Sequence, residues 1–278
     1  MSVPSELPAI PQTLYHYTSQ EGLLGIMRGK MLWVSSIRHL NDAAELSYAI
    51  AILKKYLAGP EIGPEDQLSD TWILFQQGVT KYLGVLENSD SYVGSFSEER
   101  DQLSQWRAYT GGGVGFSIGF DFEMLKNAAT TRKFELLRCT YAVKEHDEYV
   151  RSLIEKSKRA LREEGMRGVD KAVIQCVSEF MTFAPRLKHP TFKEEQEWRV
   201  FKTTDLGEPV KFRAGKSMLV PYGEFPFRDE HNNTPIVEVV VGPNPHMALS
   251  KSSVEGLLIA SDLGHVAVLE SSVPFRNW

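Results

Sequence analysis

The chain has 278 residues, with 31 Lys+Arg against 36 Asp+Glu, 42% apolar residues and 10% aromatic residues. That length suits one large domain or two small ones and can bury a core without disulfide or metal staples. Such a composition excludes wholesale disorder, and a net charge of -5 argues against a chain-wide basic surface for nucleic acid. No stretch reaches the ~18 continuous apolar residues of a membrane span, so no membrane partner is expected. The start Met1-Ser2-Val3-Pro4-Ser5-Glu6 has neither the basic nor the apolar run of a secretory signal. Two cysteines, Cys139 and Cys176, stand outside any C-x-x-C pair, which fits a reducing cytoplasm and gives no structural zinc site.

Residues 1–12, punctuated by Pro4, Pro8 and Pro11, read as an extended lead-in to one α+β domain over 13–278. Thr13–Tyr17 is a predicted strand, rich in β-formers. Ser19 caps a helix through Arg28, with Gly29 in the usual C-terminal glycine place. Met31–Ser35 reads as a second strand. Asp42 and Glu45 fit a variant capping box before a helix to about Leu57, a loop follows over 59–64, and 66–86 are helical. Ser91–Ser97 reads as a strand and Gln102–Tyr109 as a short helix. After Gly111-Gly112-Gly113 the alternation of Val114, Phe116, Ile118 and Phe120 with small or polar residues predicts a half-buried strand. A strand over 134–143 precedes a helical insertion at about 145–186, broken near Gly165–Gly168. The last third reads as strands at 194–202, 210–214, 217–221, 235–241 and 265–270, a turn at Asn232-Asn233, and a helix over 250–262.

Three segments could carry chemistry. In Leu14–Ser19 a strand runs into a helix start, and alternation puts His16 and Thr18 on one face. A helix start offers free N–H groups to an anion, although a satisfied histidine and a simple cap account for the same residues. In 192–201, read as a strand, Glu195, Glu197 and Arg199 share one face while Trp198 and Val200 mark the core side. Paired carboxylates two residues apart repel unless a cation is near, and Arg199 is the candidate cation. One carboxylate could orient a hydroxyl while the other stabilises positive charge; a solvated edge strand is the competing account. In the third segment Ser95 and Ser97 share a strand face, Trp106 and Tyr109 could form an aromatic wall, and Arg107 is a candidate phosphate clamp. The glycines at 113–119 enter a strand, so they do not make a P-loop or a dinucleotide fingerprint. No metal-ligand spacing stands out, so no metal is expected, and the serine pairs Ser35-Ser36, Ser252-Ser253 and Ser271-Ser272 lack the G-x-S-x-G elbow of a hydrolase.

The segments LYHYTS (14–19), LWVSS (32–36), SFSEERDQLSQWRAY (95–109), GVGFSIGF (113–120), EEQEWRV (194–200) and VGPN (241–244) together resemble an uncharacterised bacterial family, domain of unknown function twenty-nine seventy-one, across residues 14–276. A remoter likeness is to ADP-ribosyltransferases, in the order His-x-Thr strand, Ser-x-Ser strand, Glu-x-Glu strand. That resemblance implies a split sheet gripping NAD and cleavage of NAD at the nicotinamide ribose, with transfer of ADP-ribose to an acceptor of unknown class, protein, nucleic acid or small molecule. The enzyme would then be a cytoplasmic toxin or phage-defence effector. His16 would hold a ribose with Thr18 nearby, Ser95 and Ser97 would support the site, and Glu197 would be the catalytic Glu with Glu195 orienting the acceptor. Tyr109 would stack on nicotinamide in the alternative His-Tyr-Glu alignment, and Phe96 stands where the serine motif usually has Thr. Two other classes stay open: a non-catalytic nucleotide- or peptide-binding module, and a metal-dependent nuclease using Glu195, Glu197 and Asp42.

Overall fold

The computed structural model describes residues 10–39, 44–59, 69–86, 91–110, 113–203, 210–215 and 217–274. Asp42, Gly111 and Gly112, and most of the lead-in and of the 59–64 loop, lie outside the described residues. In chain order the main elements are β1 (Thr13–Ser19), α1 (Gln20–Gly29), β2 (Met31–Ser36), α2 (Ala44–Leu57), α3 (Ser69–Leu86), β3 (Ser91–Ser97), α4 (Leu103–Tyr109), β4 (Gly115–Asp121), α5 (Phe122–Thr131) and β5 (Glu135–Arg138). Then come α6 (Val143–Glu164), α7 (Val169–Phe183), β6 (Glu197–Thr203), β7 (Lys211–Ala214), β8 (Leu219–Pro226), β9 (Ile236–Val241), α8 (Met247–Ala260) and β10 (Ala267–Glu270). The α+β class is therefore as the sequence implies.

Local chemistry explains most boundaries. Ser19 Oγ accepts from the Gly22 amide at 3.2 Å and starts α1. Lys30, not Gly29, closes that helix in the left-handed conformation, with φ of 55°. Asp121 Oδ1 accepts from the Met124 amide at 2.9 Å and starts α5, which the sequence reading passed over. Its Phe122, Leu125 and Ala129 are buried at helical spacing. The break between α6 and α7 falls on the expected Gly165–Gly168, where Gly165 takes a positive φ of 58°. The strand expected over 194–202 starts only at Glu197. Pro190 fixes the start of a 3-10 turn through Glu195, and Gln196 is left-handed at φ 42°. The strand expected over 134–143 is likewise confined to β5.

The strands make one ten-stranded sheet in the order β10-β9-β4-β1-β3-β2-β8-β7, with β6 and β5 added beside β3. β3 is the branch point. One of its edges pairs with β6 along its whole length, Ser91 opposite Thr203 to Ser97 opposite Glu197. On the other edge β1 attaches at Ser97 and β2 at Tyr92 and Val93. Gly94, Ser95 and Phe96 lie between the two attachments, so β1 and β2 diverge from that point, joined by α1.

Two large cores, with two smaller clusters beside them, support this frame. The first packs α1, α5 and α8 onto the sheet around Leu14, Phe96, Ile118, Phe120, Trp198 and Phe225. The second lies in four helices, α2, α3, α6 and α7, around Leu53, Phe75, Val150 and Phe180. Each helix pair is inserted between two strands, α2–α3 after β2 and α6–α7 after β5. The helical insertion read at about 145–186 is thus half of a bundle whose other half comes from residues 44–86.

Candidate functional site

A cleft of about 890 Å³ opens where β1 and β2 diverge. Its floor is the Val93–Phe96 edge of β3. One wall is β1 with the start of α1, and the other is β2 with β7; Gln105 and Tyr109 of α4 and the pair Glu195 and Glu197 complete it. His16 and the two glutamates, about 180 positions apart in sequence, therefore line one crevice.

His16 is half-buried on β1, and its Nδ1 lies 2.9 Å from the Ser95 carbonyl oxygen. A carbonyl only accepts, so Nδ1 carries the proton and Nε2 of the neutral ring is an acceptor. Burial lowers the imidazole below its ordinary value of 6.5, against the opposing pull of the Ser95 carbonyl. Because no strand among the described residues pairs with β3 at Ser95 on this edge, its carbonyl takes a side chain in place of a ladder partner. Thr18, two residues on, is buried and also lines the cleft.

Glu195 and Glu197 come together by a route the alternation pattern does not contain. Glu195 ends the 3-10 turn and Glu197 begins β6, with the left-handed Gln196 between them. Lys188, itself 3% exposed, joins them: its Nζ donates to Glu195 Oε2 at 2.6 Å and to Glu197 Oε2 at 2.5 Å. Arg199 grips Glu197 from the far side as the sequence suggests, Nε to Oε1 and Nη2 to Oε2, both at 2.9 Å. It also donates to the Pro185 carbonyl at 3.1 Å. The Tyr141 hydroxyl accepts from the Glu197 amide at 2.8 Å. Burial opposes ionisation of Glu197, but the charges and hydrogen bonds of Arg199 and Lys188 outweigh it and hold the carboxyl at about 2. Among the described residues Glu197 Oε2 accepts two donors and Oε1 one, which leaves one of the roughly four lone-pair positions of a carboxylate without a donor from them.

A solvated edge strand does not describe this segment. Glu197 to Phe201 are all buried, and β6 lies between β3 and β5.

The other expected residues divide. Ser95 and Tyr109 line the cleft. Ser97 is buried and acts at one remove: its hydroxyl donates to the Glu195 main-chain carbonyl at 2.7 Å and accepts from the Glu99 amide at 3.0 Å. It supports the glutamate turn through backbone, not through a carboxylate. Trp106 is buried against Tyr17, ring centroids 4.8 Å apart, with its indole N–H on Asp101 at 2.8 Å. Arg107 is exposed and stands outside the residues that line the cleft. Among the described residues Arg213 of β7 puts a cation in the cleft wall, and its Nη2 donates to Ser35 Oγ at 2.9 Å. Trp33, Phe212 and His39 also line the cleft and were not singled out from sequence.

For a divalent metal, Glu195 and Glu197 are poor ligands as they stand, because an ammonium and a guanidinium already occupy their inner oxygens. Among the described residues no group of three His, Cys, Asp or Glu side chains could hold an ion. No helix among them is long and apolar enough to cross a membrane.

Residues 105–200 match the model of a family described as Protein of unknown function (DUF2971), in accord with the family resemblance seen in the motifs. The matched stretch runs from α4 into β6 and includes Tyr109, Lys188, Glu195, Glu197 and Arg199. No curated protein and no solved structure matches the chain.

Proposed function

We propose that this chain, part of which matches a family whose description carries no activity, binds NAD in the cleft between β1 and β2 and cleaves it at the nicotinamide ribose, in the manner of an ADP-ribosyltransferase. The supporting observation is the meeting of a neutral His16 and the Glu195/Glu197 pair across one crevice of dinucleotide size at the branch of a sheet. His16 Nε2 accepts a hydrogen bond from a ribose hydroxyl. Glu197, kept ionised by Arg199 and Lys188, accepts the nicotinamide-ribose 2′-hydroxyl at its remaining lone pair. Tyr109 gives the nicotinamide ring an aromatic face. As the C1′–N bond breaks, its electron pair goes to the pyridinium nitrogen and neutral nicotinamide leaves. The oxocarbenium charge left on the ribose is met by the nearby carboxylate. An acceptor hydroxyl or amine then bonds to C1′, and Glu195 takes its proton.

The test is release of free nicotinamide from NAD by the purified protein, with Glu197→Gln in parallel. We expect the substitution to lower release by at least ~10²-fold, the effect of losing one electrostatic stabiliser. Undiminished turnover in a folded variant would remove Glu197 from the mechanism. A second reading, nucleotide binding without chemistry, is favoured by one feature: Glu197 is already held by two buried cations, Lys188 and Arg199. Calorimetric binding of NAD with no product over hours would select it.

A further inference from the structure

The β2–β8–β7 wall of the cleft has a chemistry unlike that of the glutamate end. Ser35 of β2 stands opposite Tyr222 of β8, which stands opposite Lys211 of β7. With a period of two, Trp33 and Arg213 fall on the same face as these residues. Lys211 is neutralised by Glu224 at 2.7 Å. Arg213 is not paired in this way. It is half-buried, and among the described residues its one hydrogen bond goes to the neutral Ser35 hydroxyl, with no carboxylate beside it. A guanidinium has five N–H donors in a planar fork suited to phosphate. Trp33 is 51% exposed although it is large and apolar. Tyr222 backs its indole, ring centroids 4.6 Å apart, and so fixes the ring with its remaining surface open. Trp33 lies two residues from the Ser35 that holds Arg213, about 7 Å along the strand, a spacing that a nucleotide bridges between its base and its first phosphate.

We propose that this wall is a nucleoside diphosphate subsite, with Arg213 on the phosphates and the base stacked on Trp33. The inference rests on the reading of the cleft as a dinucleotide site and gives that ligand a direction: its diphosphate and distal base point to β7 while its reactive ribose lies between His16 and the glutamates. His39, bonded through Nδ1 to Ser36 Oγ at 3.2 Å, lies in the same wall and has Nε2 to offer.

The experiment is calorimetric titration of the full chain with ADP and with inorganic pyrophosphate, repeated for Arg213→Gln, Arg213→Lys and Trp33→Leu. Arg213→Gln is expected to weaken both probes at least about tenfold, the effect of losing charged hydrogen bonds. Arg213→Lys keeps the charge but loses the fork, and should fall between Gln and wild type. Trp33→Leu should weaken ADP about fivefold or more, as loss of base stacking does, and leave pyrophosphate unchanged. Equal ADP affinity in Arg213→Gln and wild type would overturn the proposal, as would failure of wild type to bind ADP at millimolar concentration. If Arg213→Gln does not fold, the Lys and Leu variants decide in the same way. ADP binding that depends on Arg213, in a protein that never releases nicotinamide, would retain the subsite and remove the catalytic reading. NAD cleavage with a KM untouched by Arg213→Gln would do the reverse.

Discussion

Lys188→Met is the substitution that most directly probes how the glutamate pair is held. The ammonium is buried and bridges Glu195 and Glu197 at 2.6 and 2.5 Å, while the methionine stem preserves most of the packing beside Phe192. Removing one partner from a buried ion pair costs ~3–5 kcal/mol. Glu197 keeps both bonds from Arg199, and the Glu195 side chain is 15% exposed, so the lower end, about 3 kcal/mol, is expected. At roughly 2 °C per kcal/mol for a chain of this size, the thermal midpoint at pH 7 should fall by roughly 6 °C. The pH dependence gives a second readout. The Glu197 carboxyl sits at about 2 in the folded chain against an ordinary 4.5. Its ion pairs therefore contribute stability above about pH 4.5, and that contribution disappears as pH falls toward 2. Melting curves of the two proteins should be well separated at pH 7 and converge on acidification. A gap that stayed constant down to pH 2.5 would mean that Lys188 acts through its stem and not its charge. No gap at pH 7 would refute the bridge altogether.

Two further outcomes follow from the cleft floor and its histidine. A Cβ on Gly94 would meet Val200 Cγ2 and Val34 Cγ1 at 2.9 Å each, so Gly94→Ala should cost ~1–3 kcal/mol of overpacking in urea unfolding; a neutral result would show that the strands yield at the branch. His16 should titrate below 6.5 because burial disfavours its charged form. With its folded value below its unfolded one, the ring favours folding above 6.5 and progressively less as pH falls below it. Nitrogen NMR should find Nδ1 protonated in the neutral ring, and an Nε2-protonated tautomer would contradict the bond to Ser95.

Much of the frame was legible because local chemistry agrees with tertiary packing. Alternation located β4, Ser19 located the start of α1, and the glycines of 165–168 located the helix break. The late carboxylates were legible as residues but not as geometry. Their meeting depends on a 3-10 turn and on Lys188, a single lysine before His189 and Pro190 that no periodicity marks. Arg107 is a candidate phosphate clamp by its guanidinium alone, and the short helix leaves it exposed, outside the cleft lining. Arg213 could have been found from the alternation of Lys211 and Arg213 on a short strand; its approach to Ser35, 178 positions away, depends on the β2–β8–β7 pairing. The four-helix bundle was half seen, since only packing tells that helices 44–86 and 143–183 cover one another.

The central claim is that one crevice presents NAD to both His16 and the glutamates. A crystal structure of Glu197→Gln grown with NAD tests it most directly. The account predicts intact NAD between β1 and β2, its nicotinamide ribose within hydrogen-bond distance of His16 Nε2 and residue 197, and its diphosphate beside Arg213. NAD bound elsewhere, or lying with its ribose away from both residues, would contradict it.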